Sequence, residues 1–334
     1  MHRVPRGPAP GLFIKAASDV DLKGVRQRDG HQRRNGYHNE FTNFNKWDQR
    51  GPAAVDDHGG DVTCGCADLN RHVSIEKKGF AMMSRANVLG VGVSAVNMEQ
   101  ALKTIFGWID RAERHYVCVT GVHGVMESYR SKDLRRIHNE AGMVTPDGMP
   151  LAWLLKLAGF RDSDRVCGPE LMPLVFKQSQ GRDVRHFLYG GSPEALVRLR
   201  ENLLRMAPDA NIVGTHSPPY RPLTLDEDAR IVDEINASDA DIVWVGLSTP
   251  KQERWMAEHR AALSASVLIG VGAAFDIHSG LIDRAPGFLR RTGFEWTYRL
   301  FLEPRRLWRR YLSSNPFFVA LVVMQKVGLY RPSI

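Results

Sequence analysis

Short runs of apolar, β-branched residues alternate along most of the chain with longer stretches whose apolar positions recur at helical spacing. The first run, Val88 to Val96, reads as a strand, and Asn97 then caps a helix that continues to about Glu113. Tyr116 to Thr120 is a second strand, after which Thr120-Gly121-Val122-His123-Gly124 opens into short helices through Ala141. Met143 to Asp147 forms a third strand, followed by an apolar helix to Leu157 with Gly159 as its C-terminal cap. A further helix starts after Gly168-Pro169. Strands four and five, Arg185 to Tyr189 and Asn211 to Thr215, are followed by helices to about Met206 and after Leu225. Strand six is the run Ile242 to Leu247, and strand seven extends from Val267 to Phe275, ending at Asp276.

Strands alternating with helices in this way imply right-handed βαβ crossovers and a mainly parallel sheet with helices on both faces. The expectation is an α/β, Rossmann-like domain over residues 81–280, followed by a C-terminal basic helical appendage over 281–334. In such a sheet the carboxyl edge of the strands is where ligands bind, because helix N-termini present free N–H groups there. The stretch Asp241 to Arg254 shows the construction most clearly. Gly246 permits close approach to the backbone, Thr249 fits an N-cap, Pro250 the first helical position and Gln252 the third, which is capping-box spacing. Gln252 is therefore either a cap or a site residue. The same construction recurs at Tyr189-Gly190-Gly191-Ser192-Pro193-Glu194, with Ser192 as cap, and at Thr145-Pro146-Asp147-Gly148-Met149-Pro150. Three such turns on one edge make a polar crevice with Gly190, Gly191, Ser192, Gly246, Pro250 and Lys251 as candidate binding residues, and phosphate is its natural guest.

Composition changes this picture at the two ends. Residues 1–80 are rich in Gly, Pro, Asn, Asp, His and Arg and lack a periodic apolar pattern, so they read as a disordered arm. Met82 or Met83 stands immediately before the first patterned residues. The formal charge is +8, and from Leu281 onward ten Lys and Arg face three Asp and Glu, so seven of those charges lie in the appendage. Cys64, Cys66, Cys118 and Cys167 have no zinc-site spacing, and a reducing compartment is expected. No run reaches the ~18 to 20 apolar residues that span a bilayer; Phe317 to Met324 is far shorter. The N-terminus has no apolar signal-peptide core.

The crevice chemistry is narrowed by what is missing. Gly90-Val-Gly92 lies inside the expected first strand without a third glycine, so dinucleotide binding is weakly supported, and there is neither a P-loop nor a Gly-x-Ser-x-Gly elbow. The Asp-x-Asp pairs Asp162/Asp164, Asp226/Asp228 and Asp239/Asp241 do not end strands at the ligand edge, which favours a metal-independent reaction. Asp147 does lie at a strand end, between a proline and a glycine. It is a turn-former or helix cap, or a general base facing the crevice.

Together, Thr145-Pro-Asp-Gly-Met149, Gly190-Gly-Ser-Pro-Glu194, Gly246-Leu-Ser-Thr-Pro-Lys-Gln-Glu253, Gly270-Val-Gly-Ala-Ala-Phe-Asp276 and Arg284-Ala-Pro286 through Glu295-Trp-Thr-Tyr-Arg299 resemble the WecG/TagA/CpsF family, glycosyltransferase family 26, over roughly residues 85 to 320. The resemblance implies an inverting, metal-independent and cofactor-free transferase of bacterial cell-envelope or exopolysaccharide biosynthesis. It would move a sugar from a UDP-sugar donor to a polyprenyl-diphosphate-linked sugar acceptor. It implies Asp147 as general base, with Thr120, Arg165 and Gln252 lining the same pocket. Many members carry an asparagine two residues after that threonine; here Val122 stands there with His123 next, a departure that bears on sugar identity. Glucose, N-acetylmannosamine and its uronic acid all fit the resemblance as donor sugars, and self-association is left open.

The appendage corresponds to the family's segment that closes over the active site and bears on the membrane. Its tryptophans and tyrosines, Trp296, Tyr298, Trp308 and Tyr311, are interleaved with arginines, which suits an anionic membrane surface. Arg284, Arg290, Arg299 and Arg305 are the groups able to meet an acceptor diphosphate bidentately. The expected location is cytoplasmic, peripheral on the inner face of the plasma membrane. The rival reading is a non-catalytic binder of nucleic acid or anionic lipid through the same tail; Asp147 argues against it, since a pure binder needs no acid in the crevice, and nucleic acid is not expected as a partner. Because the arm lacks an apolar pattern with which to dock, a chain beginning at Met82 should keep the melting temperature and turnover of the full chain. A lowered melting temperature for the shortened chain would show that the arm packs on the domain.

Overall fold

The computed structural model describes residues 83–292, 295–302 and 304–334; the arm expected over residues 1–80 lies outside them, as do the side chains of Arg290 and Arg299. The first apolar run does not make one strand. β1 (Arg85–Val88) and β2 (Val91–Ser94) pair antiparallel as a two-stranded hairpin of their own. Leu89 and Gly90 between them both have positive φ, 53° and 91°, which is the backbone twist a two-residue hairpin turn requires. The Asn87 side chain accepts from the Gly90 amide at 2.8 Å and secures the turn. Gly90 is thus a turn residue and not part of a strand.

α1 (Met98–Asp110) starts at the expected cap, where Asn97 and Gln100 form a reciprocal capping box. Then follow β3 (His115–Thr120), α2 (Val122–Arg130), α3 (Lys132–Glu140), β4 (Met143–Pro146), α4 (Met149–Leu157) and α5 (Gly168–Gln178). The chain continues through β5 (Arg185–Gly190), α6 (Pro193–Met206), β6 (Asn211–His216), α7 (Leu225–Ala237), β7 (Ile242–Gly246), α8 (Lys251–His259) and β8 (Val267–Gly270). The six strands β3 to β8 form one parallel sheet in the order β4-β3-β8-β7-β5-β6. Alternate side chains feed two cores. Tyr116, Cys118, Val144, Val243 and Leu268 pack towards the hairpin and the helices α2, α3, α7 and α8, whereas Val117, Val119, Met143, Trp244 and Ile269 pack towards α1, α5 and α6. Burial on both faces explains why these strands read as continuous apolar runs. This is the Rossmann-like α/β arrangement expected from the alternation.

Strand seven is shorter than its apolar run. β8 ends at Gly270, Gly272 turns the chain with φ 49°, and Ala274–His278 form the short helix α9, so Asp276 lies on a helix and not at a strand end. Ala274, Phe275 and Ile277 are apolar because that helical turn packs into the core. Beyond it, α10 (Gly287–Arg291), α11 (Glu295–Leu302) and α12 (Pro304–Lys326) make up the C-terminal segment. The apolar run Phe317 to Met324 divides between two faces of α12. Phe318 and Leu321 are buried in the hairpin-side core, while Val319 and Val323 are exposed. Gln325 accepts from the Leu89 amide at 3.0 Å and donates to the Asn87 carbonyl at 2.9 Å, and Asn87 reaches the Pro332 carbonyl at 2.7 Å. Among the described residues no helix is long and apolar enough to cross a membrane.

The core on the α5 side contains a polar thread. His186 stacks on Phe176 at 4.1 Å and accepts from Trp244 Nε1 at Nδ1, 3.2 Å. The imidazole proton is therefore on Nε2, which donates to Ser179 Oγ at 3.1 Å, and Ser179 donates to the Val175 carbonyl at 2.8 Å. Burial depresses the His186 pKa from 6.5 to about 3. Burial likewise lowers that of His278 to about 4, although its bond to the Pro169 carbonyl opposes the shift. Below pH 6.5 the unfolded chain takes up protons that the folded chain refuses. Stability is thus fully present above about pH 6.5 and falls as pH drops towards 4, by about 1.4 kcal/mol per pH unit for each such histidine. Urea unfolding between pH 7 and pH 4.5 should show this acid slope, and His186→Gln should reduce it.

Candidate active site

The site is built at the carboxyl edge of the parallel strands. Four helices that begin there, α2, α4, α5 and α8, start at Gly121, Gly148, Cys167 and Pro250 without a side-chain cap. Asn97, Ser131, Ser192 and Thr224 do cap α1, α3, α6 and α7. First turns without a side-chain cap present the positive end of the helix dipole to an anion, although in α5 Pro169 has no N–H and the Glu170 amide bonds to the Cys167 carbonyl at 3.1 Å. Ser192 behaves as its spacing indicates, accepting from Ala195 N at 3.1 Å, so its hydroxyl is already engaged. The capping box expected at Thr249 and Gln252 does not form. Ser248 turns left-handed with φ 63°, its carbonyl takes the Gln252 amide at 3.1 Å, and the helix begins one residue later than expected, at Lys251. Thr249 instead donates from its hydroxyl to Glu253 Oε1 at 2.8 Å.

Asp147 stands half-buried just past β4. Its amide is divided between the Thr120 carbonyl at 2.9 Å and the Thr145 carbonyl at 3.0 Å. Gly121 must be glycine here, because a Cβ would lie 2.8 Å from the Asp147 carbonyl oxygen. Thr120 itself is 2% exposed and its hydroxyl turns inward, 3.2 Å from the Cys118 carbonyl and 3.0 Å from His138 Nε2. His138 Nδ1 faces the Leu134 carbonyl at 3.0 Å, which can only accept, so Nδ1 carries the proton and Nε2 accepts from Thr120. Burial lowers the His138 pKa against the opposing field of Glu253.

Arg165 and Arg284 meet on one carboxyl oxygen. Glu170 Oε1, in the first turn of α5, lies 2.5 Å from Arg165 Nη2 and 2.6 Å from Arg284 Nη2. Glu170 thus holds two guanidinium groups at the positive end of the α5 dipole. The Cys167 thiol is pushed well up, first by burial and then by Glu170 and Asp147, while Arg165 and Arg284 oppose this. The Val166 amide anchors this loop to the Pro146 carbonyl at 3.0 Å, beside Asp147.

The other candidates divide. A Cβ on Gly190 would lie 2.7 Å from the Gly246 carbonyl, so these two strand ends touch backbone to backbone, and Gly246 is underlain by the Phe275 ring. Gly191 has φ 69°. Gln252 is 2% exposed, with its amide against the Gly270–Gly272 turn. His123 is half-buried on the first turn of α2, and Pro250 is half-buried while Lys251 is exposed. Arg290 lies on α10 and Arg299 on α11. Arg305 is exposed on α12, with no hydrogen bond or ion pair among the described residues. A cavity of about 410 Å³ lies away from Asp147, between α6 and the edge strand β6, lined by Leu196, Val197, Arg200 and Thr215. It is not the crevice.

A parallel sheet whose carboxyl edge joins uncapped helix starts, paired arginines and a strand-end aspartate is the framework of a glycosyl transferase. The chain belongs to the Glycosyl transferase WecG/TagA/CpsF family, which it matches over residues 86–332. It is 28% identical over 221 residues to an N-acetylglucosaminyldiphosphoundecaprenol N-acetyl-beta-D-mannosaminyltransferase of Bacillus spizizenii, covering 66% of this chain and 84% of that protein. It is 25% identical over 238 residues to the protein of the same name from Bacillus subtilis, covering 69% and 91%.

Three residues escaped the sequence reading. Glu170 looks like an ordinary first-turn acid favoured by the helix dipole. His138 occupies an apolar helix position four residues after Leu134, and Glu253 follows Gln252 in what resembled an exposed first turn. Only burial separates them from the surface residues they resemble.

Proposed function

We propose that this enzyme transfers a sugar from a UDP-sugar to a polyprenyl-diphosphate-linked sugar, with inversion and without a metal ion. Asp147 accepts the proton of the acceptor hydroxyl as its oxygen bonds to the anomeric carbon, and UDP departs from the opposite face with the bonding electrons. Arg165 and Arg284, at the positive end of the α5 dipole, meet the phosphate charge that develops. The observation that carries this reading is that Glu170 holds Arg165 and Arg284 together on a loop that the Val166 amide ties to the Pro146 carbonyl, one residue before Asp147. The relatives' names support the acceptor class: both act on an N-acetylglucosaminyldiphosphoundecaprenol. A non-catalytic binder would not require a carboxylate at this strand end. The workplace is the inner membrane surface, reached peripherally through the exposed Phe288, Phe301 and Trp308 of the C-terminal segment.

Asp147→Asn should lower turnover by about 10²-fold or more while leaving UDP affinity and melting temperature near wild type, as loss of a general base does. The assay is UDP release from a panel of UDP-sugars with a lipid-diphosphate-sugar acceptor. Wild-type turnover in that variant would reduce Asp147 to a turn residue. For the membrane contact, Phe301→Ala with Trp308→Ala should weaken sedimentation with anionic liposomes, and the remaining binding should fall as salt rises. Truncation at Gly280 is a poorer test, because it also removes Phe318 and Leu321 from the core.

A further inference from the structure

Gln252 and Glu253 are both buried in the first turn of α8, at 2% and 0% exposure. Glu253 Oε1 accepts from the Thr249 hydroxyl at 2.8 Å and from Gln252 Nε2 at 3.1 Å. Turning the Gln252 carboxamide over would set its oxygen against that same accepting oxygen, so the carboxyl group fixes which end of the amide faces it. The carbonyl oxygen is left pointing at the turn after β8. A Cβ on Gly272 would lie 3.3 Å from Gln252 Oε1, and one on Gly270 would lie 3.1 Å from Nε2. These glycines leave the amide its room. Oε1 nonetheless has no hydrogen-bond partner, although it is shut away from solvent. A buried acceptor without a donor is destabilising, and such groups persist where a ligand or water completes them.

We propose that Glu253 is a positioning residue that locks the Gln252 carboxamide with its oxygen towards the ligand, so that the crevice between β7 and β8 selects a substrate bearing an O–H or N–H donor at that point. Glu253 does not touch the substrate; it acts through Gln252. The inference rests on the assignment of this crevice to the nucleotide-sugar donor. The donating group is either a base N–H of the nucleotide or a hydroxyl or amide N–H of the sugar, and the two arms of the experiment distinguish them.

Glu253→Gln preserves shape but replaces one of two accepting oxygens by an NH2 group, so that either end of the new amide can face Gln252, in one orientation donating to Gln252 Oε1, and the lock is loosened. The KM for the UDP-sugar should rise about tenfold, with kcat changed by less than about threefold and the melting temperature unmoved. Titration calorimetry with UDP alone then assigns the source: a parallel loss of UDP affinity puts the donor on the nucleotide, and unchanged UDP affinity beside the raised KM puts it on the sugar. Unchanged KM and unchanged UDP affinity overturn the proposal. Should Glu253→Gln fail to fold, Gln252→Met keeps the bulk and removes the acceptor, and a wild-type KM in that variant overturns the proposal equally. The lock can be read without any substrate, from the side-chain amide protons of Gln252 by ¹⁵N-resolved hydrogen exchange. They should be protected in the wild type and lose protection in Glu253→Gln. Exchange as fast as that of an exposed glutamine in the wild type would sink the positioning role, whereas absence of transfer with these protons protected would count against the wider functional reading alone.

Discussion

The geometry of the crevice depends on the junction between β3 and β4, where one amide, that of Asp147, is held by two carbonyls at 2.9 and 3.0 Å. That shared bond forces the chain after β4 to cross immediately beside the end of β3, and the crossing is tight enough to exclude any Cβ at Gly121. The Asp147 backbone is therefore fixed by hydrogen bonds to the ends of both β3 and β4. Backbone placement is stiff, so the residue that carries this carboxylate has little freedom to move at the strand end. The inward-facing Thr120 hydroxyl contributes to the same end, tying β3 through His138 to α3.

Charge is placed with similar economy. Glu170 holds two arginines from distant parts of the chain, Arg165 before α5 and Arg284 beyond α9. The side chains of all three are only 11% to 28% exposed, so solvent screens this cluster less than an open surface pair. One carboxylate thus brings two guanidinium groups together at the positive end of the α5 dipole. Guanidinium forks meet the oxygens of a phosphate group in pairs, and that is the chemistry such a pair of arginines offers.

Much of this was legible in the sequence. Apolar runs buried on both faces announced a parallel sheet, and Ser192 and Asn97 capped the helices their spacing assigned to them. The failures have physical reasons. Leu89-Gly90 makes a hairpin turn without the Asn-Gly signature, inside a run that stays apolar on both sides because the hairpin is itself buried. Thr249 and Gln252 have capping-box spacing, yet spacing carries no information about burial, and burial turned both side chains towards Glu253. The pairing of Arg165 with Arg284 joins positions more than a hundred residues apart, which no local pattern encodes.

The C-terminal segment is one stretch of sequence that is partly built into the core and partly exposed. Its near end is pinned at the crevice by Arg284 on Glu170. Its far end is pinned at the hairpin by Gln325, Phe318 and Leu321, with Phe317 edge-on to Tyr129 of α2 at 5.9 Å. The residues between these anchors include the exposed Phe288, Phe301 and Trp308. A lone exposed aromatic needs no explanation, but several on one segment beside a strong excess of arginine do. The apolar content of α12 cannot all be assigned to a membrane, since one face of it closes the hairpin-side core. What remains between the two anchors is a stretch that exposes Phe288, Phe301 and Trp308 and is tied to Glu170 at one end and to the hairpin at the other, so a displacement of that stretch is linked mechanically to both without a separate domain to transmit it.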